Sequence, residues 1–313
     1  MGKFKNLVFG GGGLRCMAYI GVLRALEEYG VIQSIESYAG ASAGAIFATM
    51  ISIGYTHAEL KDFIRNFEYE YVKDIQLLGI TENFGLETGN KIERFLQLMI
   101  RRKTGKMELT FAEHYDITRK KLYINAVCLD DCSSCYFNVD THPTMPVYLA
   151  LRMSIALPIL ISPVRWEGKL YVDGGLLDNL PVSLFNGEHE HDKTLVLRVE
   201  RPPKGDEKID RFESFCFRTF SCIFDELVRL KHKDMKLEKY NVISISTDGH
   251  NAFSFNLDKH DRKKLYRIGY ATASAWLKKD ETTIGLVQSI VKETKDADAA
   301  ESQASAVALT PQH

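Results

Sequence analysis

Short apolar runs recur along the chain, separated by longer segments in which apolar residues repeat at helical spacing. The short runs predict strands at Leu7–Phe9, Ile35–Ala39, Leu122–Cys128, Tyr136–Val139, Thr194–Val199 and Val242–Ser246. The helical spacing predicts helices at 17–29, 43–53, 57–67, 90–102, 146–153, 212–240 and 258–278. Because the two kinds of element alternate, we expect an α/β fold with helices on both faces of a sheet.

Composition limits the number of domains and the class of partner. The chain has 313 residues, 45% of them hydrophobic, and a formal net charge of −1, which indicates one globular unit with a substantial core. This near-neutral charge argues against a nucleic-acid partner. No apolar run approaches the roughly 20 residues that span a bilayer. Large apolar residues become sparse near the end, so we expect a folded domain over 1–285 and a disordered tail over 286–313.

A small-residue turn, Gly40-Ala41-Ser42-Ala43-Gly44, lies between a predicted strand and a predicted helix. A nucleophilic serine must project clear of the fold, and a tight strand-to-helix turn does this only when the flanking side chains are very small. Ser42 is therefore a candidate nucleophile, with Gly40 and Gly44 forming the elbow. The alternative is a tightly packed turn around a buried serine, since the pentapeptide alone is a weak signal.

A run of four glycines, Gly10 to Gly13, separates the first predicted strand from the first predicted helix. Successive glycines leave backbone N–H groups free to point at one anion. The run lacks the Gly-Lys-Ser/Thr of a phosphate-binding P-loop, and the third glycine of a dinucleotide fingerprint is replaced by Arg15 or Cys16, depending on register. An oxyanion hole is the favoured interpretation, and a simple tight turn is the alternative.

A carboxylate at a second sharp bend, Asp173-Gly174-Gly175, supplies a candidate base. Aspartate is a feeble proton acceptor in water, but burial weakens its hydration and raises its basicity. Its neighbours are apolar: Tyr171, Val172, Leu176 and Leu177. The alternative is an ordinary Asp-Gly turn between strands, because the 131 residues between Ser42 and Asp173 leave their contact unproven.

Two other residue types offer weaker candidates. His57 and His114 fall within predicted helix starts that read Thr56-His57-Ala58-Glu59 and Thr110-Phe111-Ala112-Glu113, and no histidine stands at a strand end. Cys128, Cys132 and Cys135 have metal-like spacing, but a structural zinc site needs four ligands. A hairpin turn at 130–133 is the preferred interpretation of the cysteine segment.

In this order, the glycine loop with Arg15, the Gly40–Gly44 elbow and the Asp173-Gly174-Gly175 turn resemble the patatin-like phospholipase family. The segments Ser154-Ile155-Ala156-Leu157-Pro158 and Asp173-Gly-Gly-Leu-Leu-Asp-Asn-Leu-Pro181 are also similar to the family's segments. The resemblance covers about residues 5 to 182 by motif. It implies a three-layer α/β/α sandwich with a mostly parallel central sheet, and it makes 1–285 a patatin-like catalytic domain.

The resemblance also implies a Ser-Asp dyad in which Ser42 attacks an ester carbonyl and Asp173 accepts its proton. It assigns the oxyanion to the N–H groups of Gly11, Gly12 and Gly13. Arg15 would brace the loop or meet a lipid phosphate. The family usually continues with glycine where this chain has Cys16, which is harmless if that position merely begins the helix.

The function expected from this resemblance is a lipid acyl hydrolase of the phospholipase A type, needing no metal or cofactor. A transacylase using the same dyad and a catalytically silent lipid-binding scaffold are the alternatives. The substrate would be a phospholipid or another lipid ester, and the need for an activating protein partner is open. The start of the chain shows no export signal, which predicts a cytoplasmic protein with peripheral membrane contact. The basic amphipathic segment 212–240, residues 77–80 and the 143–163 region are candidates for that contact.

Overall fold

An eight-stranded sheet lies at the centre of the computed structural model, which describes residues 3–76, 79–200, 237–247 and 257–279 with scattered positions between 209 and 230. The strands of this sheet are β1 (Asn6–Phe9), β2 (Ser37–Ala41), β4 (Lys121–Cys128), β5 (Ser133–Phe137), β7 (Val164–Trp166), β8 (Lys169–Asp173), β9 (Thr194–Glu200) and β10 (Asn241–Ser246). They pair in the order β10-β9-β1-β2-β4-β8-β7, with β5 also paired to β4. The five strands from β10 to β4 are parallel, and the pairs β4–β5, β4–β8 and β7–β8 are antiparallel.

Helices and short helical turns connect these strands. The helices are α1 (Ala18–Glu28), α2 (Ala43–Ser52), α3 (His57–Asn66), α4 (Gly79–Asn83), α5 (Asn90–Thr104), α6 (Phe111–Thr118), α7 (Val147–Ser154), α8 (Gly175–Asp178) and α9 (259–279). A separate two-stranded parallel sheet joins β3 (Gly85–Glu87) and β6 (Ile159–Ile161). Thr56 and Thr110 begin α3 and α6 with complete capping boxes, as their sequences predict.

Both faces of the sheet are covered, and β1 shows this most simply. Leu7 and Phe9 point into the larger hydrophobic core, whereas Val8 between them belongs to a second core on the opposite face. All three side chains are fully buried, which is why this strand reads as a continuous apolar run rather than an alternating one. The expected three-layer α/β/α sandwich with a mostly parallel central sheet is confirmed.

Some sequence predictions need correction. The strand predicted from Ile35 starts at Ser37, because Ile35 still caps a short 3-10 turn, Ile32–Ser34. The strand predicted at Tyr136–Val139 is β5, which begins three residues earlier. Strands β3, β6, β7 and β8 were not predicted; three of these have only three residues, too few to show a pattern.

Several predicted features lie beyond the described residues. The helix at 212–240 falls mostly there, as does the tail at 286–313, and within 77–80 no side chain is described. Within the described part of the chain, no helix is both long and apolar enough to cross a membrane.

Candidate active site

Ser42 stands on a strained turn between β2 and α2. Its backbone has φ 53° and ψ −133°, a conformation that non-glycine residues rarely adopt and that is typical of a nucleophile elbow. A Cβ on Gly44 would lie 2.4 Å from the carbonyl oxygen of Phe9, and one on Gly40 would lie 2.6 Å from the backbone nitrogen of Ala45. The predicted requirement for small residues at these two positions therefore has a direct steric cause.

The pairing of β4 explains how residues so distant in sequence meet. At Asn125 the partners are Ala41 of β2 and Tyr136 of β5, whereas at Ala126 they are Cys135 of β5 and Asp173 of β8. Because β5 occupies one edge of β4 from Ile124 to Cys128, β2 and β8 must share the other edge there and approach each other end to end. Ser42 follows the last residue of β2, and Asp173 is the last residue of β8.

The Ser42 hydroxyl donates a hydrogen bond of 2.6 Å to Oδ2 of Asp173. The other carboxylate oxygen, Oδ1, accepts the backbone N–H of Gly175 at 2.7 Å. Asp173 is 4% exposed, and this burial raises its pKa from 3.8 to about 7, although both hydrogen bonds oppose the rise. With a pKa near neutrality, the carboxyl group is more basic than an ordinary aspartate.

Two buried polar side chains, to which the sequence assigned no role, connect the Ser42 turn with the Asp173 turn. Ser154 Oγ accepts the backbone N–H of Ser42 at 2.9 Å and donates to the carbonyl of Asn125 at 2.6 Å. The carbonyls of Ser154 and Ala156 accept the N–H groups of Gly174 and Asp173. The segment after α7 thus connects the nucleophile turn to the base turn.

Asn125 is the second of these residues. Its side-chain amide donates to the carbonyl of Gly174 at 3.0 Å and to that of Asp178 at 2.6 Å. A Cβ on Gly174 would lie 2.2 Å from the Asn125 carbonyl oxygen, so the base turn packs directly on β4. The sequence signal that could have identified this role is a single asparagine within the apolar run of a predicted strand. Such a residue is expected to be buried and hydrogen-bonded, and Asn125 is fully buried.

The backbone N–H groups of the glycine loop differ in whether they have a hydrogen-bond acceptor among the described residues. Gly11 donates its N–H to the carbonyl of Asn179 at 3.1 Å, and the Asn179 amide donates back to the Gly11 carbonyl at 3.1 Å. No described residue accepts from the N–H of Gly12 or Gly13, and Gly13 has a left-handed φ of 57°. Of the three predicted donors, Gly11 is therefore already engaged, and Gly12 and Gly13 remain available for a ligand.

Arg15 braces this loop. The side chain is 3% exposed, and it donates to the carbonyls of Gly12 at 3.3 Å and Glu200 at 3.1 Å. Cys16 lies in the 3-10 turn Gly13–Met17, outside the set of described residues with positive φ, and burial raises its pKa to about 12. Cysteine at this position thus lies within the helical turn without backbone strain, and its burial disfavours the thiolate form.

The dyad and the loop open into one large apolar cavity of about 540 Å³, within the range of roughly 300–1,000 Å³ usual for small-molecule sites. Its floor holds Ser42 and Asp173. Its walls are apolar side chains from α1, α2, α3, α5 and the segment after α7: Met17, Ile20, Ile46, Phe47, Met50, Leu60, Phe63, Ile64, Phe67, Ile92, Phe95, Met99, Ile155, Leu157 and Leu160. An apolar chamber beside the Ser42 hydroxyl suits a ligand with a long hydrocarbon group.

Comparison with known proteins finds relatives that are similar in sequence to this chain. The chain is 29% identical over 278 residues to uncharacterized protein R571 of Acanthamoeba polyphaga mimivirus, covering 85% of this chain and 91% of the relative. It is 32% identical over 186 residues to probable lipid hydrolase 463L of Invertebrate iridescent virus 6, covering 58% and 63%.

A solved structure supports the fold, and a family profile covers the site. The crystal structure of VipD from Legionella pneumophila superposes with a TM-score of 0.65 at 16% identity, covering 88% of this chain and 67% of VipD. The profile of the patatin-like phospholipases matches residues 7–186. That range contains the glycine loop, the Ser42 elbow and the Asp173 turn. The chain belongs to the patatin-like phospholipase family.

Proposed function

We propose that this protein is a lipid acyl hydrolase of the phospholipase A type, which cleaves fatty acyl esters through an acyl-enzyme on Ser42. The observation that carries the proposal is the 2.6 Å hydrogen bond from Ser42 to Asp173 at the floor of an apolar cavity. Family membership and the relative named probable lipid hydrolase support the same substrate class.

In the first step Ser42 Oγ attacks the acyl carbonyl carbon while its proton passes to Oδ2 of Asp173. The carbonyl oxygen becomes an oxyanion, to which the N–H groups of Gly12 and Gly13 would donate in this mechanism. The bond to the alcohol then breaks, and Asp173 returns the proton to the departing oxygen. The product of this half-reaction is a Ser42 ester and a free lysolipid or alcohol.

In the second step a water molecule attacks the Ser42 ester, and Asp173 again accepts a proton. Collapse of the second tetrahedral intermediate breaks the bond to Ser42 Oγ, which recovers its proton from Asp173. A fatty acid leaves, and the dyad returns to its starting state. One carboxylate serves both steps because its raised pKa lets it accept and release a proton near neutral pH.

Fatty acid release from mixed phospholipid vesicles tests the proposal. We expect release by the wild-type protein and none by folded Ser42→Ala or Asp173→Asn. Ser52→Ala is a matched control, because Ser52 is a buried serine of α2 bonded to Thr49 and His114, away from the cavity. Transfer of the acyl group to an added lysolipid would identify a transacylase, and lipid binding without turnover would identify a scaffold.

The substrate class also calls for contact with a lipid surface, which we propose is peripheral. Tyr71, Ile75 and Phe84 are large apolar side chains that are more than half exposed, on the segments just before and after α4. Exposed aromatic and aliphatic side chains of this kind insert at a lipid interface. Sedimentation with vesicles should weaken in Tyr71→Ser/Phe84→Ser, and unchanged sedimentation of that folded variant would exclude this surface.

A further inference from the structure

Three phenylalanines form a compact aromatic cluster on the helical side of the catalytic cavity. Phe63 of α3 stacks on Phe95 of α5 with ring centroids 5.3 Å apart. Phe67, which caps α3, lies 5.4 Å from Phe63 and 5.9 Å from Phe95. We call these three residues the phenylalanine wall.

The phenylalanine wall has a cavity on each side. Its three residues line the catalytic cavity, and the same three line a second cavity of about 470 Å³. The second cavity is also bordered by side chains that do not line the first, including Asp62, Asn66 and Arg102. The wall is therefore the layer of protein shared by the two spaces.

Helical spacing explains why the wall has two faces. On α3, Leu60 and Ile64 are one turn apart and both face the catalytic cavity, whereas Asp62 and Asn66 face the second cavity. Phe63 lies between these two stripes and contributes to both. On α5, Phe95 has the same position between Ile92 and Met99 on one side and Arg102 on the other.

Another boundary of the catalytic cavity is formed by α2, which extends away from Ser42. Apolar side chains of α2 line the cavity from Ala43 next to Ser42 as far as Met50, which is roughly 12 Å along the helix axis. An acyl chain esterified to Ser42 would therefore lie in an apolar space that runs along α2 and is bordered by side chains of α3 and α5. Removing a ring from that border would join the space to the second cavity.

We propose that the phenylalanine wall sets the longest acyl chain that the Ser42 site accepts, an inference that rests on the proposed acyl hydrolase function. Acyl chains shorter than the limit fit between Ser42 and the phenylalanine wall, and longer chains meet the rings of the wall. Truncating one ring would extend the chamber into the second cavity. Each further methylene buried there should raise kcat/KM about three- to fivefold until the added space is filled.

The test measures kcat/KM for a series of p-nitrophenyl esters from butanoate to palmitate. In Phe63→Ala and Phe95→Ala we expect the optimum to move to longer chains, because the chamber is lengthened at the wall. Phe63→Leu keeps an apolar group in the wall and should shift the optimum less. Asn66→Ala is the matched control, because Asn66 lines the second cavity and not the catalytic cavity. This variant should keep the wild-type chain-length profile.

Labelling and binding measurements separate the outcomes. Fluorophosphonate labelling of Ser42 at the wild-type rate shows that a wall variant is folded with its dyad intact. A labelled variant that keeps the wild-type chain-length profile overturns the wall proposal and leaves the hydrolase proposal standing. If the wild-type protein neither takes the label nor hydrolyses any ester, the hydrolase proposal fails.

The wall would then still be tested by calorimetric titration with free fatty acids of increasing length. Tighter binding of the longer acids by Phe63→Ala than by wild type supports a length limit at the wall. Equal binding of every acid by the two proteins contradicts it.

Discussion

The two sides of the catalytic cavity are built by different physical means. At the floor of the cavity, where β2 and β8 end, Ser42 and Asp173 are held by hydrogen bonds that involve the backbone. Glycines in these turns let neighbouring backbone segments approach so closely that no side chain would fit between them. On the helical side, the boundary consists of aromatic rings in ordinary packing contact. Substitutions at the floor should therefore abolish ester hydrolysis, whereas substitutions on the helical side should change which substrate fits.

The largest effect is expected for Asp173→Asn. The amide cannot accept the Ser42 proton, so kcat/KM should fall about 10³- to 10⁴-fold. Steady-state hydrolysis of a short p-nitrophenyl ester measures this loss. Asp131→Asn, which alters an exposed carboxylate paired with Lys169, should stay within about twofold. An Asp173→Asn variant with near-wild-type turnover would remove the carboxylate from the mechanism.

The same substitution should stabilise the protein at high pH. Folded Asp173 has a pKa near 7 against 3.8 for an ordinary aspartate, so folding retains a proton that the unfolded chain has released in this window. The stability that Asp173 contributes is thus present below about pH 4 and lost as pH rises through about 7. Thermal melts of Asp173→Asn should show a gain of up to about 4 kcal/mol at about pH 8 and none at about pH 4. Equal Tm differences at both pH values would contradict the raised pKa.

A loss of about 100-fold is expected for Gly44→Ala. The new Cβ would stand 2.4 Å from the Phe9 carbonyl oxygen and 2.6 Å from that of Gly10, so the start of α2 must move away from the glycine loop. A displacement near 1 Å at the reacting atoms typically costs about 10² in rate. Gly187→Ala, whose Cβ would meet its nearest neighbour at an ordinary 3.4 Å, is the control for the same assay. A full-rate Gly44→Ala enzyme would show that the elbow tolerates this shift.

The pH–rate profile should show a tenfold effect. The proposed mechanism requires the base form of Asp173, so kcat/KM should rise with pH and level off above the pKa of about 7. Between about pH 6 and about pH 8 the ionised fraction, and with it kcat/KM, increases roughly tenfold. A soluble p-nitrophenyl ester avoids changes in the lipid surface over this range. A flat profile down to about pH 5 would indicate an ordinary, solvated carboxylate.

The smallest of these effects is expected for Ser154→Ala. The variant leaves the half-buried N–H of Ser42 without its acceptor and removes the link to the Asn125 carbonyl. One net hydrogen bond corresponds to about a two- to tenfold fall in kcat/KM, and the unpaired group costs about 1–3 kcal/mol of stability. Ser52→Ala should lose comparable stability in chemical denaturation without the fall in rate. Identical rate losses in the two variants would argue against a positioning role for Ser154.

Sequence predicts the floor of the cavity, which holds Ser42 and Asp173, better than its walls. The Ser42 elbow and the Asp173 turn are local motifs, since the steric demand for small residues is met within a few positions of each. Their contact is not local: it depends on β2 and β8 sharing one edge of β4. That arrangement follows from β5 occupying the other edge, which no single segment encodes.

The walls depend on which stripe of each helix faces inward. The amphipathic patterns of α3 and α5 predict helices correctly, but Phe63 and Phe95 read as ordinary core residues until the two helices are placed side by side. The glycine loop is an intermediate case. Its N–H groups are visible in sequence, whereas the bond from Gly11 to Asn179 requires the fold that brings 11 and 179 together.

Fluorophosphonate labelling with peptide mapping tests the central claim most directly, because the reagent reports which hydroxyl is activated without assuming a substrate. We predict one label on Ser42 in the wild-type protein, none in Ser42→Ala, and labelling slowed by at least about 100-fold in Asp173→Asn. A label on another serine, or none on the well-folded wild-type protein, would contradict the assignment of Ser42 and Asp173 as the catalytic pair.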